Sequence, residues 1–318
     1  MISLTGSPRH QLIPLFSLHC FQHLGARSKF LSEHVRVGAG QDRVVSAVDL
    51  KERFMKSLSF DGLVEFYDET RDFNSECFDA ALDYIRSRFP PQAFDKLLEP
   101  GIGTGRIAVP LAQQGYQVTG IDISEEMLAL LQQRLSQCRS PLSLSYQKAD
   151  VTEMPFATGA FAIAVAVHLF YFIRDWPRAA EEILRVVGSQ GAIILMHTGT
   201  GAEIPVLNER YKALCAEQGF SIPELGVKSS REVIDHFYHL GCQIEWIRDR
   251  WRWVSHIRLD KALGYIQSRA YSFTTFASDA IHRRAVERLK SELQATHGNL
   301  RVEVEVPNQI YLVVIHRG

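Results

Sequence analysis

Residues 96–124, KLLEPGIGTGRIAVPLAQQGYQVTGIDIS, constrain the fold more than any other part of the chain. A short apolar run ends at Glu99 and Pro100, and a turn follows with Gly101, Gly103 and Gly105 on alternate positions. An apolar stretch then leads to Gly115, and a second short run ends at Asp122. This order predicts a strand, a glycine turn, a helix and a second strand, a βαβ unit whose strands lie parallel in one sheet. Glycines so placed let the backbone take positive φ and let a ligand approach the main chain, since no Cβ stands in the way. The spacing predicts a helix from about residue 104 to Gly115, which suits the left-handed C′ position, and a strand over 118–121. Pro110 falls inside that helix and requires a place in the first turn or at a kink, because it lacks an N–H.

Asp122 ends the second strand about 20 residues beyond the glycines, where a carboxylate accepts hydrogen bonds from both hydroxyls of a nucleoside ribose. Two cofactor classes use that geometry. The dinucleotide fingerprint is G-x-G-x-x-G, whose third glycine lets the helix pack on the strand. Arg106 occupies that third position here, and the observed spacing is G-x-G-x-G after an acid. Glu99 would repel a pyrophosphate but suits a cationic amino-acid moiety, directly or through water. The pattern therefore favours S-adenosylmethionine over NAD.

Four motifs in order, EPGIGTG, GIDIS, KADVTEMPF and VAVHLFYFIRDW, resemble the class I S-adenosylmethionine-dependent methyltransferases. The likeness is to the small-molecule, quinone-biosynthesis-like branch (methyltransferase type 11) and runs over residues 60–199. It implies an α/β fold with a Rossmann-like, doubly wound, seven-stranded sheet, an antiparallel C-terminal strand and an inserted helical lid. It further implies that Glu99, Gly101, Gly103, Gly105, Asp122 and Ile123 hold the cofactor. Asp150 would bond the adenine amino group beside the backbone of Val151, and Met127 would lie against adenine, face the sheet, or do both. The segment FDGLVEFYDETRDFN would cover the cofactor, with Tyr67 lining the methyl-transfer site and Arg71 reaching the methionine carboxylate; spaced four apart, they share one helix face.

The nearly all-apolar run FAIAVAV, residues 161–167, predicts a central parallel strand buried on both faces. Its carboxyl end delivers His168 and Tyr171 to the edge where open α/β sheets bind ligands. These two are the candidate catalytic side chains, and His168 is also a candidate cofactor contact. The alternative part for His168 is to hold a backbone carbonyl and shape the loop. No (N/D)-P-P-(Y/F) sequence follows this strand, which weighs against amino-methylation of DNA or RNA and favours a small-molecule acceptor. Gly188 and Gly191 are expected to end the next helix, with a strand over 192–196 and His197 just past it as a further candidate substrate contact.

Beyond residue 200 the rhythm changes to helices near 206–214, 233–238, 260–271 and 279–293, with strand-like material over 243–257. A loop carrying Arg269 and residues 271–275 is a candidate for shaping the substrate site. The chain closes with VEVEV, an expected turn at Pro307 and Asn308, and QIYLVVI, which read as antiparallel strands. The expected organisation is an extension over 1–54, a cofactor-binding core over 55–200, a helical substrate lid with one core strand over 201–300, and a closing strand over 301–318. The extension reads as a flexible appendage or an upstream addition to a start at Met55, with a targeting segment as the other reading.

Composition narrows the remaining classes. Lysine and arginine, 35 together, nearly balance 36 acidic residues, so no global field draws the chain to nucleic acid or an anionic membrane. No apolar run approaches the roughly 20 residues of a spanning helix. The five cysteines are scattered without a CxxC pair, which fits a reducing, cytoplasmic setting and no structural zinc. No clustered His, Asp or Glu spacing speaks for a catalytic metal. The expected function is transfer of a methyl group to an O, N or C atom of a small molecule by in-line displacement. A non-catalytic cofactor-binding partner or sensor is the alternative, and an NAD-dependent oxidoreductase is the less favoured one.

Overall fold

The computed structural model describes residues 74–200 and 203–317. Tyr67, Arg71 and the extension over 1–54 lie outside the described residues. In chain order come α1 (Ser75–Arg88), β1 (Lys96–Pro100), α2 (Ala108–Gln113), β2 (Gln117–Asp122), α3 (Glu125–Ser136), β3 (Leu144–Lys148) and β4 (Phe161–Val167). They continue as α4 (Trp176–Val186), β5 (Val187–Thr200), α5 (Glu203–Ala216), α6 (Ser230–His239), β6 (Gln243–Arg258), α7 (Leu259–Gln267), α8 (Asp279–His297) and β7 (Glu303–His316).

The strands form one seven-stranded sheet in the order β3-β2-β1-β4-β5-β7-β6. The first five pair in parallel, and β7 runs antiparallel between β5 and β6. The order reverses between β1 and β4. Such a switch point opens a crevice outside the carboxyl ends of the strands, which is where ligands bind in open α/β sheets. One face of the sheet carries Leu97, Ile163, Val165, Ile194, Leu312 and their helical partners, and the other carries Leu98, Ala164, Ala166, Ile193, Leu195 and Val313. Burial on both faces is what the continuous apolar strand text requires.

Local capping explains the element starts. The Asn74 side chain accepts from Cys77 N–H at 2.9 Å to open α1, and Ser124 Oγ accepts from Met127 N–H at 3.1 Å to open α3. Pro110 is the third residue of α2, inside the first turn, where its missing N–H costs no helical bond. The helix is shorter than the spacing suggested, because residues 104–107 remain turn-like after the glycines.

Three expectations require correction. Gly188 and Gly191 do not end α4: the helix stops at Val186 and passes directly into β5, with a register shift between the Phe161↔Val187 and Ile163↔Ala192 pairs. β5 also continues to Thr200, so His197 lies within a strand, opposite Tyr311, and not in a loop. Pro307 and Asn308 make no turn. They lie within the single strand β7, where Pro307 pairs with Val254 of β6 and lies beyond the last β5 pair, Thr200↔Asn308. A proline is tolerated where only one neighbour competes for its backbone.

A separate apolar cluster joins α5, α7 and α8 through Leu207, Tyr211, Leu263, Ile266, Ala285 and Leu289. Tyr211 is fixed there by a 2.6 Å bond to His282 Nδ1, and His282 Nε2 donates to the Gln267 carbonyl at 3.1 Å. The Arg269 loop is likewise occupied with its own structure. Arg269 donates to the Thr274 carbonyl and to Asp279, and Thr275 Oγ1 donates to the Ser272 carbonyl at 2.8 Å.

Candidate active site

At the carboxyl ends of β1 and β2 the chain folds back on itself. Gly101 and Ile102 N–H both donate to the Ile121 carbonyl, at 2.8 and 2.9 Å. Gly101, Gly103 and Gly105 all take positive φ, at 74°, 53° and 77°, a region L side chains avoid. Their second duty is packing. A Cβ at Gly101 would meet Leu169 Cδ1 at 2.8 Å, and one at Gly105 would overlap Leu131. Gly120, which sequence reasoning passed over, has the same need, since a Cβ there would run into Ile102.

Asp122 closes this loop. One carboxylate oxygen accepts from Gly103 N–H at 2.8 Å and the other from Ser124 N–H at 2.9 Å. Glu99 lies behind the loop, only 3% exposed, and its Oε2 has no hydrogen-bond partner. Burial raises its pKa well above the usual carboxylate range, the Asp122 charge adds to that, and a bond from Ala108 and the Arg106 charge oppose it. A buried carboxyl oxygen without a partner is uncommon in a folded protein, and this one lies behind the glycine loop.

The other expected cofactor contacts fall around the same crevice. Ile123 is half-buried directly after β2, and Met127 is buried in the first turn of α3. Asp150 follows β3, its Oδ1 accepting from Thr152 N–H at 2.9 Å and Thr152 Oγ1 at 2.8 Å, with Val151 buried beside it. That loop is held by a pair that sequence reasoning did not find. Arg185 meets buried Glu182 through two bonds of 2.8 Å and reaches the carbonyls of Phe156 and Met154 at 2.8 and 3.1 Å. The Arg185 bond also holds Glu182 below the usual carboxylate pKa. The i,i+3 spacing of these two on α4 was a usable signal, but their reach to the loop was not written in it.

At the end of β4, His168 takes a left-handed conformation with φ 50° and heads a short 3₁₀ turn, Leu169–Phe172. Its Nε2 lies 2.7 Å from Thr198 Oγ1 and accepts the Thr198 backbone N–H at 3.3 Å. That N–H can only donate, which places the lone pair on Nε2 and the proton on Nδ1. His168 thus ties β4 to β5 through Thr198. Burial raises the Tyr171 phenol above its ordinary pKa, so it keeps its proton at neutral pH. Gly226 and Val227 N–H donate to the carbonyls of Tyr171 and Phe170 at 3.1 and 3.2 Å, clamping the turn from outside. Leu169, packed on Gly101, joins this region to the glycine loop.

The glycine loop closed by an acid and the residues at the β4 end sit in one segment of chain. A family model described as a methyltransferase domain matches residues 98–195, from the middle of β1 to the middle of β5. Over those residues the chain is similar to methyltransferase domains. YqeM of Bacillus subtilis strain 168, whose name as a methyltransferase is itself provisional, is 33% identical over 139 residues, covering 42% of this chain and 53% of YqeM. O-methyltransferase resE of Aspergillus sclerotiorum is 32% identical over 112 residues, 34% of this chain and 42% of resE. The match therefore spans about half or less of these relatives' length. A methyltransferase-named crystal structure from Bacillus halodurans C-125 superposes with TM-score 0.52 at 14% identity, over 75% of this chain and 100% of that one, a likeness of fold. No helix among the described residues is long and apolar enough to cross a membrane.

Proposed function

We propose that this chain is an S-adenosylmethionine-dependent methyltransferase acting on a small-molecule acceptor. The observation that carries this reading is the loop of Gly101, Gly103 and Gly105 closed by Asp122, with the unpaired, buried Glu99 oxygen beside it. In this reading each part of that cofactor has its own partner. Asp122 stands at the end of β2 where ribose hydroxyls are expected, Glu99 answers an ammonium group, and Asp150 with the Val151 backbone stands where adenine is expected. Ile123 and Met127 supply the apolar wall between them. Tyr67 and Arg71 belong to the same proposal as a covering segment.

The cofactor, when bound, supplies a methyl group already activated on a sulfonium, so what the chain must add is positioning and exclusion of water. Tyr171 remains protonated and serves as a hydrogen-bond donor. His168 is the side chain placed to take a proton on Nε2, exchanging acceptance from Thr198 N–H for donation to Thr198 Oγ1 at 2.7 Å. In this reading residues 55–200 hold the cofactor, 201–300 cover the acceptor, 301–318 complete the sheet, and 1–54 is an appendage. The enzyme works in the cytoplasm on a free metabolite, without nucleic acid as substrate.

Isothermal titration of the full chain with S-adenosylmethionine, S-adenosylhomocysteine and NADH tests this. The expected result is saturable binding of the first two, none of NADH, and at least tenfold weaker cofactor binding in Asp122→Ala, equivalent to about 1.4 kcal/mol. Binding of NADH in their place, or equal affinity in the variant, would remove the assignment.

A further inference from the structure

β5 sets His197 on the same face as Ile193 and Leu195, paired with Tyr311 of β7. The ring is 5% exposed, and neither nitrogen has a hydrogen-bond partner. Buried polar groups in folded proteins are almost always paired, so two orphaned nitrogens on one ring mark a place made for something else. Tyr311 stacks on one face at 4.9 Å and 15°, and His168 meets the ring edge-on at 5.9 Å. The remaining direction is a small pocket whose walls include Ala166, Leu169 and Val233, and whose polar groups are His197, His168, Tyr171 and Ser230.

The chemistry of that lining selects its occupant. Among the pocket's lining residues none carries a carboxylate, an ammonium or a guanidinium. An ion placed there would be buried without a counter-charge, which is strongly unfavourable. Burial, followed by the neighbouring His168, lowers the His197 pKa to about 3, so the ring is neutral and offers one donor and one acceptor. Tyr171 and Ser230 line the same pocket, and Ser230 Oγ lies 3.4 Å from the Tyr311 hydroxyl, so these are uncharged groups that both give and accept. The complementary ligand is likewise uncharged, donates one hydrogen bond and accepts another.

We propose that this pocket anchors a single uncharged hydroxyl group between His197 and the Tyr171–Ser230 pair, and that this hydroxyl belongs to the methyl acceptor. The second half rests on the methyl-transfer reading; the first half does not. The placement suits an acceptor, because Leu169 lines the pocket on one side and packs against Gly101 of the cofactor loop. His197 is here a positioning residue that selects hydroxylated, neutral acceptors, and the hydroxyl it holds is their anchor.

The test uses phenol as probe on the full chain labelled with ¹⁵N-histidine and loaded with S-adenosylhomocysteine, with benzoate and benzylammonium as charged counterparts. Phenol is expected to shift a ring nitrogen of His197, and neither ion is expected to do so. His197→Phe, which retains a ring to stack on Tyr311, should weaken phenol binding at least tenfold with S-adenosylhomocysteine affinity unchanged. Ser230→Ala supplies a second variant and should weaken phenol binding at least threefold. The proposal is overturned if phenol leaves the His197 nitrogens unmoved, if both variants bind phenol as the parent does, or if either ion binds there as tightly. Phenol binding at His197 without affinity for S-adenosylhomocysteine would retain the pocket and remove its link to methyl transfer; the reverse would remove the pocket alone.

Discussion

His197 and Glu99 are buried groups that resist charge, and their effects on stability run in opposite directions with pH. The folded protein holds His197 neutral, with a pKa of about 3 against roughly 6.5 unfolded. Below pH 6.5 the unfolded chain binds a proton that the fold refuses, so stability falls by about 1.4 kcal/mol per pH unit down to the folded value. His282 acts in the same direction, since burial lowers its pKa as well. Glu99 opposes them: its raised pKa lets the fold accept a proton more readily than the unfolded chain, so its burial penalty shrinks as pH drops. Comparing the parent with His197→Phe isolates one contribution. Urea unfolding should show the parent losing roughly 1.6 kcal/mol more than the variant between pH 6.5 and 5. Parallel losses in both would mean that His197 is not held neutral by burial. Glu99 and Asp122 were legible in the sequence because motif and spacing lie within one βαβ unit. The isolation of His197 was not, since it depends on Tyr311, brought alongside only by the β5–β7 pairing.

Among the elements, the turn after β4 is the one most dependent on a distant segment. A Cβ at Gly226 would overlap the Phe170 carbonyl oxygen, a backbone atom that has no rotamer by which to yield. Gly264, in the interior of α7, has nothing within 4 Å of its would-be Cβ. Opposite signs are expected from the same substitution: Gly226→Ala should destabilise by about 1–3 kcal/mol through overpacking. Gly264→Ala should stabilise by about 0.5–1 kcal/mol through helix propensity. Denaturation midpoints for the two variants provide the check, and a neutral Gly226→Ala would show that the clamp on the Tyr171 turn is loose. Hydrophobic period located β1, β2, β4 and most helices, since their apolar runs face a continuous core. It misjudged Pro307 because the rule that proline breaks a strand applies where both neighbours need the backbone, and β5 stops short of it. It also cut β5 short, because the text turns polar at His197 while the pairing with β7 continues.

For the molecule as a whole, the strand order explains why distant residues meet at one edge. Reversal of the strand order between the parallel β1 and β4 brings the glycine loop beside the His168 turn, and β7 between β5 and β6 closes the far side. The parallel half was readable from alternating strand and helix signals. The half beyond residue 200 was readable as elements, while the packing of α5, α7 and α8 into their own cluster rests on contacts such as Tyr211 with His282 that no local pattern announces. The central claim is that the crevice at the ends of β1 and β2 holds the adenosyl cofactor. A crystal structure of the full chain grown with S-adenosylhomocysteine addresses it most directly. The expected density has ribose hydroxyls on Asp122, the amino group toward Glu99 and adenine beside Asp150 and Val151. Clear density for the compound at any other place, with Glu99 and Asp122 still facing only protein, would contradict it.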